Sequence, residues 1–159
     1  MRFFSKAGAA ILLLSSVSLA STSLANAETV APDAVKIADG EVAMSLTGAS
    51  GDAANGRKVF VNRKLGNCLA CHINAETSEQ SFHGEVGPPL DGVADRWEEP
   101  ELRAILVNSK TVLGEETIMP SFYRSVNGAR TMEKFAGKTI LSAQQVEDVL
   151  AYLKTLKEE

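Results

Sequence analysis

The apolar positions of this chain change period several times, and each change marks an element. Arg2 and Lys6 precede a run of apolar and small residues over 7–20. Its most hydrophobic part, residues 9–14, is too short to cross a bilayer about 30 Å thick. Ala25-Asn26-Ala27 then has the form of an A-x-A cleavage site, so residues 1–27 read as a secretory signal peptide and the mature chain is expected to begin at Glu28. Residues 28–50 are rich in Ala, Val, Asp and Gly, and within them 41–47 alternates weakly between apolar and polar. This predicts an extended N-terminal arm, with a flexible tail as the alternative.

From Asp52 to about Lys64 the period is helical, with Asp52 as N-cap and Val59, Phe60 and Arg63 on neighbouring turns. Gly56 and Phe60 share one face. Glycine inside a helix costs about 1 kcal/mol relative to alanine, so Gly56 predicts that another helix crosses closely there. The expected partner is the segment 142–157, where Ser142 and Gln145 make a capping-box pattern and Val146, Val149, Leu150 and Leu153 an apolar stripe. Tyr152 is placed either against Gly56 or on the exposed flank. A third helix is signalled by Glu98-Glu99-Pro100-Glu101, with proline at the first helical position, acidic side chains at the positive end of the macrodipole, and Leu102, Ile105 and Leu106 as the buried face. The chain is therefore expected to be all-α, with one domain over residues 51–159 behind the arm.

Length and charge narrow the class. Removing the 27-residue signal from 159 residues leaves 132, enough for one domain. Of 16 basic residues 14 remain, against 20 acidic ones, so the mature charge is −6. That argues against nucleic acid or an anionic membrane surface as a partner.

The chemistry is concentrated in Cys68-Leu69-Ala70-Cys71-His72, which holds both cysteines and one of the two histidines. Residues three apart lie on one side of a helical turn, so Cys68 and Cys71 can form thioethers with the two vinyl groups of one porphyrin, and His72 then lies under the iron. A zinc site would need two more ligands, and His83 is the one further His or Cys side chain. A redox dithiol belongs at the start of a helix in a βαβ pattern, which is not seen here. A covalent c-type haem is the reading this spacing supports. With three short helices, the haem is expected to supply much of the core and the unattached polypeptide to fold poorly.

An axial histidine needs an acceptor for its outer nitrogen. Gly87-Pro88-Pro89-Leu90 offers the Pro88 carbonyl, although Gly-Pro-Pro is also a rigid turn in its own right. Candidates for the opposite iron face are Met44, Met119, Met132 and His83. Met119 is preferred, because Pro120 biases it toward an extended conformation and lets its thioether project from a stiff loop. His83 stays open as a ligand, a surface residue or a contact at the haem edge. Arg96 and Trp97 are candidates for a propionate, with Trp97 as core filler the alternative.

Gly56 and Phe60, the C-x-x-C-H run, Gly87-Pro88, Met119-Pro120 and Leu150-Ala151-Tyr152-Leu153 together resemble a class I cytochrome c. More narrowly, Ser45-Leu46-Thr47-Gly48, residues 66–72 and 84–92, Asp95-Arg96-Trp97, Met119-Pro120-Ser121-Phe122-Tyr123 and residues 142–157 are similar to SoxX, the monohaem family of the periplasmic SoxAX cytochromes of bacterial sulfur oxidation. That resemblance implies a class I cytochrome c fold with a structural N-terminal arm, and one haem c held by Cys68 and Cys71 with His72 and Met119 as axial ligands. It also implies a periplasmic heterodimer with a SoxA-like cytochrome, acting as an L-cysteine S-thiosulfotransferase that joins thiosulfate oxidatively to a cysteine of a sulfur-carrier protein. A downstream acceptor would take the electrons, and no residue of this chain would itself be catalytic. A free electron shuttle and a ligand-sensing cytochrome are the alternative functions.

Overall fold

The computed structural model describes residues 28–125 and 131–158; the segment read as a signal peptide lies outside the described residues. Among those residues there are four α-helices and no strand, only an isolated bridge between Ala38 and Glu41 around the Asp39-Gly40 turn.

Each long helix starts where its side chains satisfy the free backbone N–H groups of the first turn. In α1, Ala53–Val61, the Asp52 carboxylate accepts from the N–H of Ala54 and Asn55. The helix ends three residues short of the expected Lys64, because Asn62 leaves helical geometry and its carbonyl accepts from Leu65 and Asn67 at 3.0 Å each. Helix α4, Ala143–Leu153, opens with a reciprocal capping box between Ser142 and Gln145, and α3, Glu99–Leu113, with one between Glu98 and Glu101. Pro100 is the second residue of α3 and not the first. A short helix that the sequence pattern did not announce, α2, Val93–Arg96, connects the Gly-Pro-Pro turn to α3.

The core forms where α1 crosses α4. A Cβ on Gly56 would stand 1.9 Å from the Asp148 carbonyl oxygen and 3.0 Å from Tyr152 Cβ, so the two backbones meet at this glycine. Tyr152 lies at this crossing, its ring edge-on to Phe60 with centroids 5.1 Å apart. Gly51 repeats the device at the preceding residue of α4, where a Cβ would stand 2.0 Å from the Glu147 carbonyl. Phe60, Leu46, Leu141, Val146, Val149 and Leu150 fill the space between the helices and the arm.

The arm is extended and stitched down, which excludes the flexible-tail alternative. Val30 N–H donates to Leu46 O, Val42 N–H to Pro100 O, and Tyr123 Oη to Val30 O. Val42 and Leu46 are buried while Met44 points to solvent, so the weak alternation of 41–47 is not a regular strand pattern. Beneath the arm lies a buried ion pair. Arg103 Nε is 3.0 Å from Glu147 Oε1, with both side chains 4% exposed. Arg103 Nη1 donates to Val42 O, Nη2 to Glu99, and Leu46 N–H donates to Glu147. Burying two charges is tolerable only with such complete pairing.

Gly56→Ala is expected to force α1 and α4 apart at a cost of about 3 kcal/mol, the upper end of overpacking penalties. Urea unfolding of the holoprotein checks this, and a loss under about 1 kcal/mol would mean the crossing has slack. A pH effect follows from Asp148. Burial alone would raise its pKa, but N–H donation from Asp52 and from the Gln144 and Asn55 amides outweighs burial and holds the pKa below the ordinary carboxylate value. A depressed folded-state pKa gives stability that is fully present above the unfolded value and lost as pH falls through the folded one. Stability should therefore decline below about pH 4, and in Asp148→Asn it should be lower at neutral pH with a shallower acid limb.

Candidate functional site

The C-x-x-C-H run begins where α1 stops. Gly66 N–H donates to Val59 O, and a Cβ on Gly66 would stand 2.9 Å from that oxygen and 3.2 Å from Cys68 Sγ, so the glycine lets the chain fold back against the helix end. Asn67 then takes a left-handed conformation, with φ of 51°, and starts the single 3-10 turn Cys68–Ala70. Leu69 is buried in the core and anchors the turn, leaving Cys68 and Cys71 half-buried and free of any disulfide.

The following loop runs back along this turn in register. Gly84 N–H donates to Leu69 O, Gly87 N–H to Cys71 O, and Leu90 N–H to Ile73 O. Gly84 makes the approach possible, since a Cβ there would stand 2.1 Å from Ala70 O. The register puts the Pro88 carbonyl 2.7 Å from His72 Nδ1. Because a carbonyl only accepts, Nδ1 carries the proton, and Nε2 is the basic nitrogen available to a metal. Gly87 gives the imidazole its place: a Cβ there would stand 2.4 Å from His72 Cε1 and 2.9 Å from Nε2. Arg96 braces the same loop, donating from Nη1 to Asp91 O and from Nη2 to Pro89 O.

The other candidates separate clearly. His83 Nδ1 accepts from Asn74 N–H and its Nε2 donates to Thr77 O, so both ring nitrogens are engaged and the histidine is a brace for residues 74–77, not a ligand. Met44 and Met132 are 76% and 61% exposed, whereas Met119 is half-buried against the core. Trp97 is 37% exposed, which excludes it as a core filler. Burial pushes the Cys68 thiol up to about 12, the opposite of the low pKa a redox dithiol needs. Among the described residues no group of three or more His, Cys, Asp and Glu side chains could hold a metal ion. The donor set that remains, two adjacent thiols with an oriented imidazole beside them and a thioether elsewhere, fits a haem c.

The known proteins that this chain resembles point the same way. A family model described as Cytochrome c matches residues 53–157. A chain in the crystal structure of SoxXA from P. pantotrophus is 43% identical, with a TM-score of 0.76 and a match covering 82% of this chain and 99% of that one. The chain belongs to the cytochrome c family. Its fold is that of a class I cytochrome c, and its cofactor is covalently bound haem c, with Cys68 and Cys71 in the C-x-x-C-H position. Ferric cytochrome c-550 from Paracoccus versutus is 24% identical over 69% of this chain and 100% of that one, with a TM-score of 0.39. No curated protein sequence matches. No described helix is long and apolar enough to cross a membrane.

Reading the sequence missed a polar network behind the His72 loop. Asn74 is fully buried, and its Oδ1 accepts from Thr77 N–H, Thr77 Oγ1 and Tyr152 Oη. The Tyr152 hydroxyl shares its single proton between Asn74 Oδ1 and the Glu76 carboxylate, which Arg57 holds from α1 at 2.9 Å. Asn74 and Thr77, three residues apart, are a cap pattern that would have marked this turn.

Gly87→Ala is expected to displace the His72 ring and break its bond to Pro88, at about 2 kcal/mol. A crystal structure of the variant and its denaturation midpoint check this; an unmoved ring with unchanged stability would contradict it.

Proposed function

We infer that this chain is the haem-bearing SoxX subunit of a SoxXA-type complex, and that it accepts electrons when thiosulfate is joined to a cysteine thiol. The observation that carries this reading is the 43% identity to a chain of SoxXA over 82% of this one, around a C-x-x-C-H turn whose imidazole is already oriented. The haem, when bound, supplies one-electron exchange at its iron. Cys68 and Cys71 would tether it, His72 Nε2 and the Met119 thioether would bind its iron, and Pro88 fixes the His72 ring. Phe82, Val86 and Ile118, which expose apolar side chains on the loops around His72 and beside Met119, are available to cover the porphyrin or a partner surface.

The sulfur chemistry itself needs a thiol that this chain does not have. Joining thiosulfate to a thiol forms one S–S bond and releases one proton and two electrons. With both cysteines consumed as thioethers no thiolate remains, so no residue here is catalytic. A SoxA-like subunit provides the reactive site in a periplasmic heterodimer that works as an L-cysteine S-thiosulfotransferase. Its co-substrate is a cysteine on a sulfur-carrier protein. A downstream acceptor would take up the electrons.

The test is thiosulfate-dependent haem reduction with a carrier thiol present, for this chain alone, for the SoxA-like chain alone and for both together. The isolated holoprotein is expected to be reducible by dithionite yet inactive, with activity appearing on addition of the partner. Full turnover by this chain alone would refute the subunit reading, and no association with the partner would favour a free electron shuttle.

A further inference from the structure

We propose that the stretch of α3 around its kink, residues 106–110, is a clamp that fixes the Met119 loop, with Ser109 as the positioning residue for Met119; this rests on the reading of Met119 as an axial ligand. Helix α3 breaks its geometry at Asn108, where φ is −148° and ψ is 81°. The break has a use. The Leu106 and Val107 carbonyls accept from the N–H groups of Phe122 and Tyr123, at 2.9 and 3.3 Å. Asn108 Oδ1 accepts from Ser121 Oγ at 3.0 Å. Ser109 Oγ donates to the Met119 carbonyl at 2.7 Å, and Lys110 Nζ donates to the Thr117 carbonyl. Each residue from 106 to 110 thus bonds to the segment 117–123, and Ser109, which is fully buried, bonds to Met119 itself and has its Oγ 3.4 Å from Ser121 Oγ.

This arrangement suits a weak ligand. A thioether is a neutral donor, so its hold on iron depends on how firmly the backbone keeps it in place against water or an added base. Pro120 stiffens the chain on one side of Met119, and the buried Ser109 hydroxyl fixes the carbonyl between them. The nearest core residue, Phe122, is anchored by two further bonds, its carbonyl accepting from the N–H groups of Ile140 and Leu141. The clamp therefore joins the distal loop to both α3 and the chain leading into α4.

The experiment uses the ferric holoprotein and imidazole as the competing ligand. In the wild type a sulfur-to-iron charge-transfer band is expected, and Met119→Ala should abolish it. A band that survives Met119→Ala would overturn the ligand reading and the clamp with it. With that reading intact, Ser109→Ala is expected to bind imidazole about fivefold more tightly, the equivalent of one neutral hydrogen bond, and to have a weaker band. Ser109→Thr, which keeps the hydroxyl, should return both toward wild type. Folded Ser109→Ala with an unchanged imidazole affinity would overturn the clamp alone, since a merely structural serine would lower the unfolding temperature without moving that affinity. If Ser109→Ala yields no folded holoprotein, Lys110→Met at a half-exposed position decides: tighter imidazole binding supports the clamp and unchanged binding overturns it.

Discussion

The contact on which this structure depends is the approach of two helix backbones at Gly56. Nothing but a hydrogen fits between α1 and the Asp148 carbonyl, and that closeness sets where α1 ends relative to α4. The end of α1 then fixes Gly66 and the cysteine turn, while α4 contributes Glu147 beneath the arm and Tyr152 behind the His72 loop. A side chain at this position would move the haem-binding turn, the arm and the polar network together.

The parts of the fold legible in the sequence are those governed by local rules. Asp52, and Ser142 with Gln145, cap their helices as their spacing predicts, the acidic start of α3 lies one residue earlier than Pro100 suggested, and Gly56 meets α4 where a glycine within a helical period said it would. The Pro88 carbonyl lies on His72 Nδ1 because Gly84 and Gly87 bring the loop onto the cysteine turn in one register. What escaped reading depended on distant partners. Arg103 and Glu147 look like surface charges in a helical pattern, and only the arm lying over them makes them a buried pair. The kink at Asn108 has no proline to announce it; its cause is the set of acceptors it frees for a segment more than ten residues away. His83 and Arg96 carry groups that can bind metal or propionate, yet both are engaged by loop backbone.

Two loops thus share one design. The segment after Cys71 is held by backbone registry, by Arg96 and by His83, and the segment around Met119 by side chains and carbonyls of a broken helix. An electron carrier gains from such stiffness, because a ligand set that stays put between oxidation states leaves little to rearrange when the electron arrives.

The arm has a consequence for the order of assembly. Its bond from Leu46 N–H to Glu147 closes across 101 positions, and Asp52 N–H reaches Asp148 across 96. Contacts so remote in the chain form late, because the long intervening loop must close before they are rewarded. The first segments of the domain consequently wait for its last helix, and the cysteine turn, which lies between them, is without its final neighbours for as long as the C-terminal residues have not arrived.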